Sequence, residues 1–194
     1  MSRTKILNDK NQIIDAAFQI MDEEGESALS IRRIAKAVGV SSMTIYNYVQ
    51  NIEEIKHEIV IRCFHMLYAQ IYKDMSNTME HQESGLVLYA KIYAKELFDF
   101  ATEHRWVCQY LNGAAYLVFH DDPELRPFYD PFSPFLRFKE ENTQEHELRM
   151  SCQMFESALR AMIMEYTSGT RTYTRQEFEE SIYYFLERMF PKEI

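Results

Sequence analysis

The sequence predicts an all-α protein, and three observations favour this fold class. Apolar residues recur three and four positions apart over most of the chain, which is the spacing of one helix face. No segment alternates apolar and polar residues as a half-buried strand would. Four of the five prolines lie between Pro123 and Pro134, so the long apolar segments on either side lack helix-breaking residues. We therefore expect helices throughout, interrupted near 123–134.

The first predicted helix runs from an Asp9 N-cap to Glu24, where Gly25 ends it. Its apolar face consists of residues at helical spacing: Ile13, Ala16, Ala17, Ile20 and Met21. A linker follows, in which we expect Leu29 to contribute to the core of the N-terminal helices.

The segment from Ser30 to Val49, SIRRIAKAVGVSSMTIYNYV, has the pattern of a helix-turn-helix motif. Ser30 can cap a short helix, and Gly39 tolerates the left-handed conformation of a tight helix exit. Ser41 or Ser42 can cap a second short helix, with Ile45 and Val49 on its buried side. In such a motif the second helix enters the major groove of DNA.

A long helix is predicted to begin at Asn51, because Asn51-x-x-Glu54 resembles a capping box, and to extend to about Met75–Met79. At 1.5 Å per residue this helix would span about 40 Å, enough to join two domains. After Gly85 we expect two helices, over 86–104 and 105–119.

The second of these helices is expected to bend near Gly113, and the proline-rich segment follows it. Another helix is predicted to start at Asn142 and to end at 167–169. Thr174-x-x-Glu177 is a capping box that opens a last helix, which runs to Phe190 and stops at Pro191.

The pattern IA-x-x-x-GVS-x-x-T-I-Y-x-Y-V within residues 34–49 resembles the tetracycline-repressor-like (TetR) family of bacterial regulators. The resemblance covers about residues 7–67 and implies a three-helix DNA-binding domain. It further implies that a long helix joins this domain to a larger helical ligand-binding and dimerisation domain over 68–194. Members commonly carry Lys where this chain has Ile52, so one phosphate contact of the family is not expected here.

The resemblance also assigns roles to residues of the motif. Thr44, Tyr46 and Tyr48 match positions that contact phosphates and nearby bases, and Arg32 matches a position that reaches a base or a phosphate. The variable positions that read the base sequence are Ser42, Met43 and Asn47. Asn can form a bidentate pair with adenine, and Met43 can contact a thymine methyl group.

The span 86–138 holds thirteen aromatic residues, which predicts either an ordinary core or a ligand pocket. The resemblance favours the pocket, because the family binds small molecules in this part of the chain. The expected ligand is a small apolar or aromatic molecule, and a cation is also compatible because aromatic faces attract one. The candidate lining residues are Phe64, Tyr68, Tyr89, Tyr93, Trp106, Tyr110, Tyr116, Phe119 and Phe128.

The last two predicted helices are apolar on more than one side, which indicates that they are buried against a second copy of the chain as well as against the core. We expect them to pair with their symmetry mates as a four-helix interface of a homodimer. The candidate interface residues are Phe155, Ala158, Ala161, Met162, Ile182, Phe185 and Met189.

The overall composition is that of a globular protein, with 46% hydrophobic and 26% charged residues. The net charge is −9, but residues 1–51 contain as many Lys and Arg as Asp and Glu. Neither a signal peptide nor a membrane span is expected, and the three cysteines, at 63, 108 and 152, lack paired spacing. We therefore expect a cytoplasmic protein with reduced thiols and no membrane partner.

Catalytic and metal-binding patterns are lacking in the sequence. His57-Glu58 has no second His at position 61, as a zinc protease motif requires, and there is no glycine-rich phosphate loop. We expect neither an enzyme nor a cofactor or metal site.

The sequence thus predicts a DNA-binding transcriptional regulator, in the main interpretation a repressor. It would bind a palindromic operator in double-stranded DNA as a homodimer, and a small molecule would release it. The alternative is a helix-turn-helix co-regulator whose C-terminal domain binds a protein partner, with the proline-rich 123–138 segment as its docking surface.

Overall fold

The computed structural model describes residues 9–78, 85–133 and 143–190, and the regular secondary structure in these ranges is helical, as predicted. A 3₁₀ turn spans Glu26–Ala28, and a π-helical segment spans Leu111–Ala115. The α-helices are α1 Lys10–Glu24, α2 Ile31–Val38, α3 Ser42–Ile45, α4 Ile52–Thr78, α5 Gly85–Glu103, α6 Arg105–Tyr110, α7 Tyr116–Phe119, α8 Arg126–Tyr129, α9 Thr143–Ser168 and α10 Arg175–Met189.

Helix α1 begins and ends at the predicted residues. The Asp9 side chain accepts a hydrogen bond from the Asn11 N–H at 3.1 Å and so caps the first turn. At the other end, Gly25 has a φ of 84° and a ψ of 172°, a conformation that is essentially restricted to glycine. Its N–H donates to the Met21 carbonyl at 2.8 Å, so one orphan carbonyl of the last turn is satisfied.

The helix-turn-helix forms around the predicted caps. Ser30 Oγ accepts from the Arg33 N–H at 3.3 Å, and Gly39 adopts the left-handed conformation with φ 80°. Ser41 Oγ then accepts from the Thr44 N–H at 3.2 Å, which makes Ser41 the N-cap of α3. Helix α3 is a single turn, and Val49 beyond it is buried together with Ile45.

The long helix α4 is shared between the N-terminal helices α1 to α3 and the rest of the molecule, α5 to α10, which is called the body below. Its start is capped by Asn51 Oδ1, which accepts from the Glu54 N–H at 2.9 Å. Ile55 and Ile59 are fully buried near this end, and Leu67 and Ile71 are buried further along. The predicted domain boundary at residue 67 falls within this unbroken helix, so the division into two domains stays a prediction.

Helix α5 lies at the centre of the body and is buried on nearly all sides from Leu86 to Ala101. Helices α4, α6, α9 and α10 pack against it. The three cysteines are buried in the same core, and burial raises the pKa of the Cys108 and Cys152 thiols to about 12. These thiols therefore behave as small apolar side chains rather than as reactive groups.

The predicted bend near Gly113 takes the form of the π-helical segment between α6 and α7. Asn112 Nδ2 donates to the Cys108 carbonyl at 3.0 Å. Short π segments are frequently found at functional sites, and this one borders the internal cavity described below.

The last helix opens with the predicted capping box. The Thr174 N–H donates to Glu177 Oε2 at 2.8 Å, and the Glu177 N–H donates to Thr174 Oγ1 at 3.2 Å. The helix ends at Met189, one residue before the predicted end. The predicted start of α9 at Asn142 and the stop at Pro191 lie outside the described residues. In the described part of the chain, no helix combines the length and apolarity needed to cross a membrane.

Candidate nucleic-acid interface and internal cavity

Helix α3 and the turn after it present the predicted DNA-contacting residues on one exposed surface. Met43 is 75% exposed and Tyr46 52%, and Tyr48 and Asn47 are exposed as well. Ser42 and Thr44 are half-buried, and Thr44 Oγ1 lies 2.9 Å from Ser41 Oγ. Because Ile45 and Val49 point into the core, these polar and aromatic side chains face outward together.

Few positive charges are left unpaired on this surface. Arg33 forms an ion pair with Glu24, and Lys10 pairs with Glu54 at 2.7 Å. Within residues 9–78, 85–133 and 143–190, the exposed side chains of Arg32 and Lys36 take part in no ion pair. These two cations are therefore the ones that the helix-turn-helix can offer to phosphate groups.

An internal cavity lies in the body between α4, α5, α8, α9 and the π-helical segment. Its volume is about 30 Å³, room for roughly one water molecule, whereas typical ligand pockets measure about 300–1,000 Å³. The rings of Phe64 and Phe128 stack in its wall with centroids 4.8 Å apart. The lining residues are Phe64, Leu67, Tyr93, Leu97, Leu111, Asn112, Phe128, Tyr129, Glu156, Leu159 and Arg160.

Three of the predicted pocket residues line this cavity, namely Phe64, Tyr93 and Phe128. Three others lie around it in ring contacts. Tyr68 meets Phe128 edge to face at 5.2 Å and Tyr89 stacks on Tyr93 at 6.0 Å, while Tyr116 meets the lining residue Tyr129 at 5.3 Å.

The structure places the remaining three predicted pocket residues elsewhere. Trp106 is 45% exposed and packs against Gly25 at the end of α1. Phe119 contacts the His57 ring at 5.3 Å, and Tyr110 is buried near the start of α4, where burial raises its pKa to about 12. Trp106 and Phe119 therefore lie at the junction between the N-terminal helices and the body.

Two charged residues of the cavity, Glu156 and Arg160, were not among the predicted pocket residues. They lie one turn apart on α9, and Arg160 Nη2 donates to Glu156 Oε1 at 2.5 Å. Burial raises the pKa of the Glu156 carboxyl group, and the Arg160 charge opposes this shift. Their i, i+4 spacing also occurs in exposed helix pairs, so the sequence alone did not indicate that they face a cavity.

A second concavity is an open groove of about 230 Å³ between α5 and α10. Leu88, Ile92 and Phe178 form its floor, and Lys91 lies 5.3 Å from the Tyr183 ring at its rim. The sequence did not indicate this groove.

Two further polar contacts join the N-terminal helices to the body. His104 Nδ1 lies 3.0 Å from Asp22 Oδ2, and His57 Nε2 lies 3.0 Å from Asp122 Oδ2. Helices α1 and α6 also pack directly against each other. A displacement of the body can therefore reach α1 through side-chain contacts as well as through the continuous α4.

The predicted interface residues divide between the core and the surface. Phe155 and Ile182 are buried within the chain, and Ala161 is exposed. Ala158, Met162, Phe185 and Met189 are half-buried. The exposed face of these helices also carries Met154, Tyr183 and Tyr184, which belong to the second apolar side expected of the two helices, and Met150, which was not predicted.

No group of three or more His, Cys, Asp or Glu side chains that could hold a metal ion occurs among the described residues. The arrangement of the site is that of a binding protein, with an exposed helix-turn-helix surface and an aromatic cavity joined by α4.

Residues 13–59 match the family model described as "Bacterial regulatory proteins, tetR family". The chain is 28% identical to the uncharacterised HTH-type transcriptional regulator YobS of Bacillus subtilis, over 58% of this chain and 53% of that protein. It is 30% identical to the fatty acid metabolism regulator protein of B. subtilis, over 48% of this chain and 46% of that protein. These matches span about half the length of the relatives, which are transcriptional regulators rather than enzymes.

The fold is similar to that of the fatty acid degradation regulator FadR from Bacillus halodurans. The TM-score is 0.60 at 20% identity, and the match covers 93% of this chain and 97% of that one. At this identity the similarity concerns the fold, and it extends over the body as well as the helix-turn-helix. The segment that carries the helix-turn-helix, residues 13–59, is thus similar to the tetR family of bacterial regulatory proteins.

Proposed function

We propose that this protein is a transcriptional repressor that binds a palindromic operator as a homodimer and is released by a small molecule. The observation that carries the proposal is the exposed surface of α3 on a TetR-type helix-turn-helix, connected by α4 to an aromatic cavity. One relative, the repressor DrrR1 of Streptomyces coeruleorubidus, is named for repression and is 25% identical over 51% of this chain and 34% of its own length.

The predicted DNA-contacting residues, on α2, on α3 and in the turn after α3, divide into positioning and reading roles. Arg32, Thr44, Tyr46 and Tyr48 hold the phosphate backbone and so fix the orientation of the helix, as contacts to phosphates do. The residues that read base edges in the major groove are Ser42, Met43 and Asn47. Met43 is more exposed than Tyr46 and Tyr48 and is suited to an apolar contact with a thymine methyl group.

The homodimer forms through α9 and α10. Met154 is 52% exposed and Tyr184 60%, and Met150, Ala161 and Tyr183 are exposed on the same two helices. Exposed apolar side chains in such numbers on neighbouring helices indicate an interaction surface. A two-fold dimer built on this surface would present two α3 helices about 34–36 Å apart, or at a multiple of this distance, to match successive major grooves.

The ligand occupies the aromatic cavity after Phe128 has moved. Phe128 lies on α8, a single helical turn, and it can leave the cavity with less disruption than a residue of α4 or α5. A ligand in the space that it vacates contacts Phe64 and Leu67 on α4. It thereby changes the tilt of the helix that supports the DNA-binding domain, and a coupling of about 1–3 kcal/mol would weaken operator binding roughly 5–150-fold.

A second candidate function is that of a co-regulator whose body binds a protein partner. The small volume of the cavity, about 30 Å³, favours this alternative, because a ligand has to displace side chains before it binds. The proline-rich docking segment expected over 123–138 is described only as far as residue 133.

Selection of bound DNA from a random double-stranded pool tests the proposed function. We expect the enriched sequences to share an inverted repeat whose half-sites are one helical turn apart or a multiple of it. Enrichment of no sequence, or of a single asymmetric site, would contradict the proposal of a dimeric operator-binding protein.

A further inference from the structure

The Glu156–Arg160 pair in the aromatic cavity calls for a physical explanation. The two side chains are only 19% and 21% exposed, although both belong to charged residue types. Removing two charges from water costs several kcal/mol, and their mutual attraction often does no more than offset this cost. The pair is therefore expected to contribute little to the stability of the fold. Because it lies in the wall of a cavity, it is more suited to binding a ligand.

Arg160 is arranged as an anion receptor. Its guanidinium carbon lies 3.6 Å from the centroid of the Tyr116 ring, which holds the planar group in a fixed orientation. The bond to Glu156 uses one of the five N–H donors of a guanidinium, and a carboxylate can take two such donors at once.

Tyr129 supplies an independent observation at the same cavity. Its hydroxyl group is buried and has no hydrogen-bond partner among the residues that the structure describes. Buried polar atoms nearly always have a partner, and Tyr129 lines the cavity together with Arg160. An oxygen-bearing ligand in the cavity would supply the missing partner.

Apart from Tyr93 and from Asn112, whose amide already donates to the Cys108 carbonyl, the other walls of the cavity are apolar. Leu67, Leu97, Leu111 and Leu159 line it together with the Phe64 ring. A ligand that matches this lining therefore has an apolar or aromatic part, which contacts these residues, and a polar group at one end, which meets Arg160 and Tyr129.

The charge of that polar group follows from the two residues it would meet. Arginine stays charged in proteins, whereas a buried carboxyl group can take up a proton. A cationic ligand would bring a second positive charge beside the permanent one of Arg160. An anionic ligand would compete with the Glu156 carboxylate, which can turn away or become neutral, because burial and the nearby Asp130 charge both raise the pKa of Glu156. The geometry therefore favours an anion.

We propose that the cavity receives the carboxylate of a small amphiphilic acid, with Arg160 as the anion-binding residue and Glu156 as the internal carboxylate that the ligand replaces. The inference rests on the proposed function, since it takes the cavity as the ligand site. It narrows the range of ligands from apolar, aromatic or cationic molecules to acids with an apolar body.

Calorimetric titration with matched probes tests this inference. The probes are phenylbutanoate, phenylbutanol and phenylbutylamine, and the three corresponding ten-carbon straight-chain compounds, each with the full-length chain. We expect the carboxylate to bind best in each series. A charge-assisted hydrogen bond contributes about 1.5–3 kcal/mol, so the preference over the alcohol should be tenfold or more.

Variants of Glu156 and Arg160 distinguish a cavity that binds an anion from one that binds a cation. Glu156→Gln should tighten carboxylate binding, because Arg160 loses its internal partner, whereas a cation bound to Glu156 would bind more weakly to this variant. Arg160→Met should abolish the preference for the carboxylate. Because Arg160→Met leaves Glu156 unpaired, the double variant Arg160→Met/Glu156→Gln serves as the matched control in which both charges are removed.

In the Phe128→Ala variant, a ligand no longer has to displace the Phe128 ring before it enters the cavity. All probes should bind this variant more tightly, with the carboxylate still preferred. The inference is overturned if the amine binds best, if the double variant keeps the carboxylate preference, or if neither wild type nor Phe128→Ala binds any probe. Binding to the selected operator is measured separately without probes. Retained operator binding then shows that the ligand class has failed and not the DNA-binding function.

Discussion

At the scale of single residues, the caps and turns explain why the N-terminal helices could be predicted so closely. Asp9, Ser30 and Ser41 act on backbone groups two or three residues away, and Gly25 and Gly39 adopt conformations with positive φ. These effects are local, so a short stretch of sequence contains all the information that they need. The roles of the exposed residues of α3 depend on the operator and remain predictions.

Asn47 and Tyr46 should differ in the kind of contact they lose on substitution. Asn47→Ala should relax the preference at one base pair and cost about 1–3 kcal/mol on the best site, because a bidentate contact to adenine is removed. Tyr46→Phe should weaken good and poor sites alike, because a phosphate contact carries no base preference. Selection of DNA with each variant measures both effects, and an unchanged consensus with Asn47→Ala would show that Asn47 does not read the sequence.

The small number of unpaired cations should make operator affinity weakly dependent on salt. If Arg32 and Lys36 are the cations that each protomer places on phosphates, the slope of log affinity against log salt is about −4 for a dimer. Ile52→Lys should tighten binding to all sequences and steepen the slope by about 2 per dimer, since each added contact contributes about 0.9. Anisotropy titrations between low and moderate salt give the slope. A wild-type slope near −10 would show that many more cations contact DNA.

At the scale of elements, the long helices followed from their apolar spacing, whereas two local features did not. Helix α3 is one turn long because Tyr46 to Tyr48 continue as a turn, and the segment after α6 becomes π-helical around Asn112. Both outcomes depend on how neighbouring helices pack, which periodicity does not encode. The sequence showed that α9 and α10 are apolar on more than one side. It did not show which of these residues are buried in the core and which are exposed, because that depends on how the two helices are oriented in the fold.

Gly25, at the end of α1, should be required for the full stability of the protein. Gly25→Ala places a side chain at φ 84° and ψ 172°, so we expect a loss of about 1–3 kcal/mol in the free energy of unfolding. Gly85→Ala is the matched control, because an added Cβ there meets no atom of the described residues within 4 Å. Urea denaturation of the two variants measures the difference, and equal stability of both would contradict the conformational argument.

The exposed face of α9 should hold the dimer together. Met154→Glu introduces a charge at a side chain that is 52% exposed, so the fold of one protomer should be unaffected while association is lost. Ala158→Glu should act in the same way. Gln19→Glu, on the exposed side of α1, adds the same charge away from this face and should leave the dimer intact. Sedimentation velocity distinguishes the outcomes, and a Met154→Glu dimer would place the interface elsewhere.

At the scale of the whole molecule, the sequence predicted an aromatic body but not which rings meet. Phe64, Tyr93 and Phe128 come together from three helices, and Trp106 lies instead against Gly25. Such contacts join residues far apart in the chain, and a list of aromatic residues cannot rank them. The position of the Glu156–Arg160 pair could not be predicted either, because its burial depends on the other four elements that surround the cavity.

The fluorescence of Trp106 should respond to movement between α1 and the body, and not to direct contact with a ligand. It packs against the end of α1, so a shift of α1 relative to α6 should change its fluorescence. We expect operator DNA alone to change the emission. As the chain contains one tryptophan, Trp106→Phe removes the signal and serves as the control. An emission that is unaffected by saturating operator would show that the joint does not move on DNA binding.

The mass of the complex formed on a selected operator tests the central claim most directly. The account predicts two chains on a full inverted repeat, with half-site centres about 34–36 Å apart or at a multiple of this distance, and much weaker binding to DNA that contains one half-site. Mass photometry or sedimentation with labelled DNA gives the number of chains on each. A single chain bound to the full site, with the same affinity for the half-site, would contradict the account.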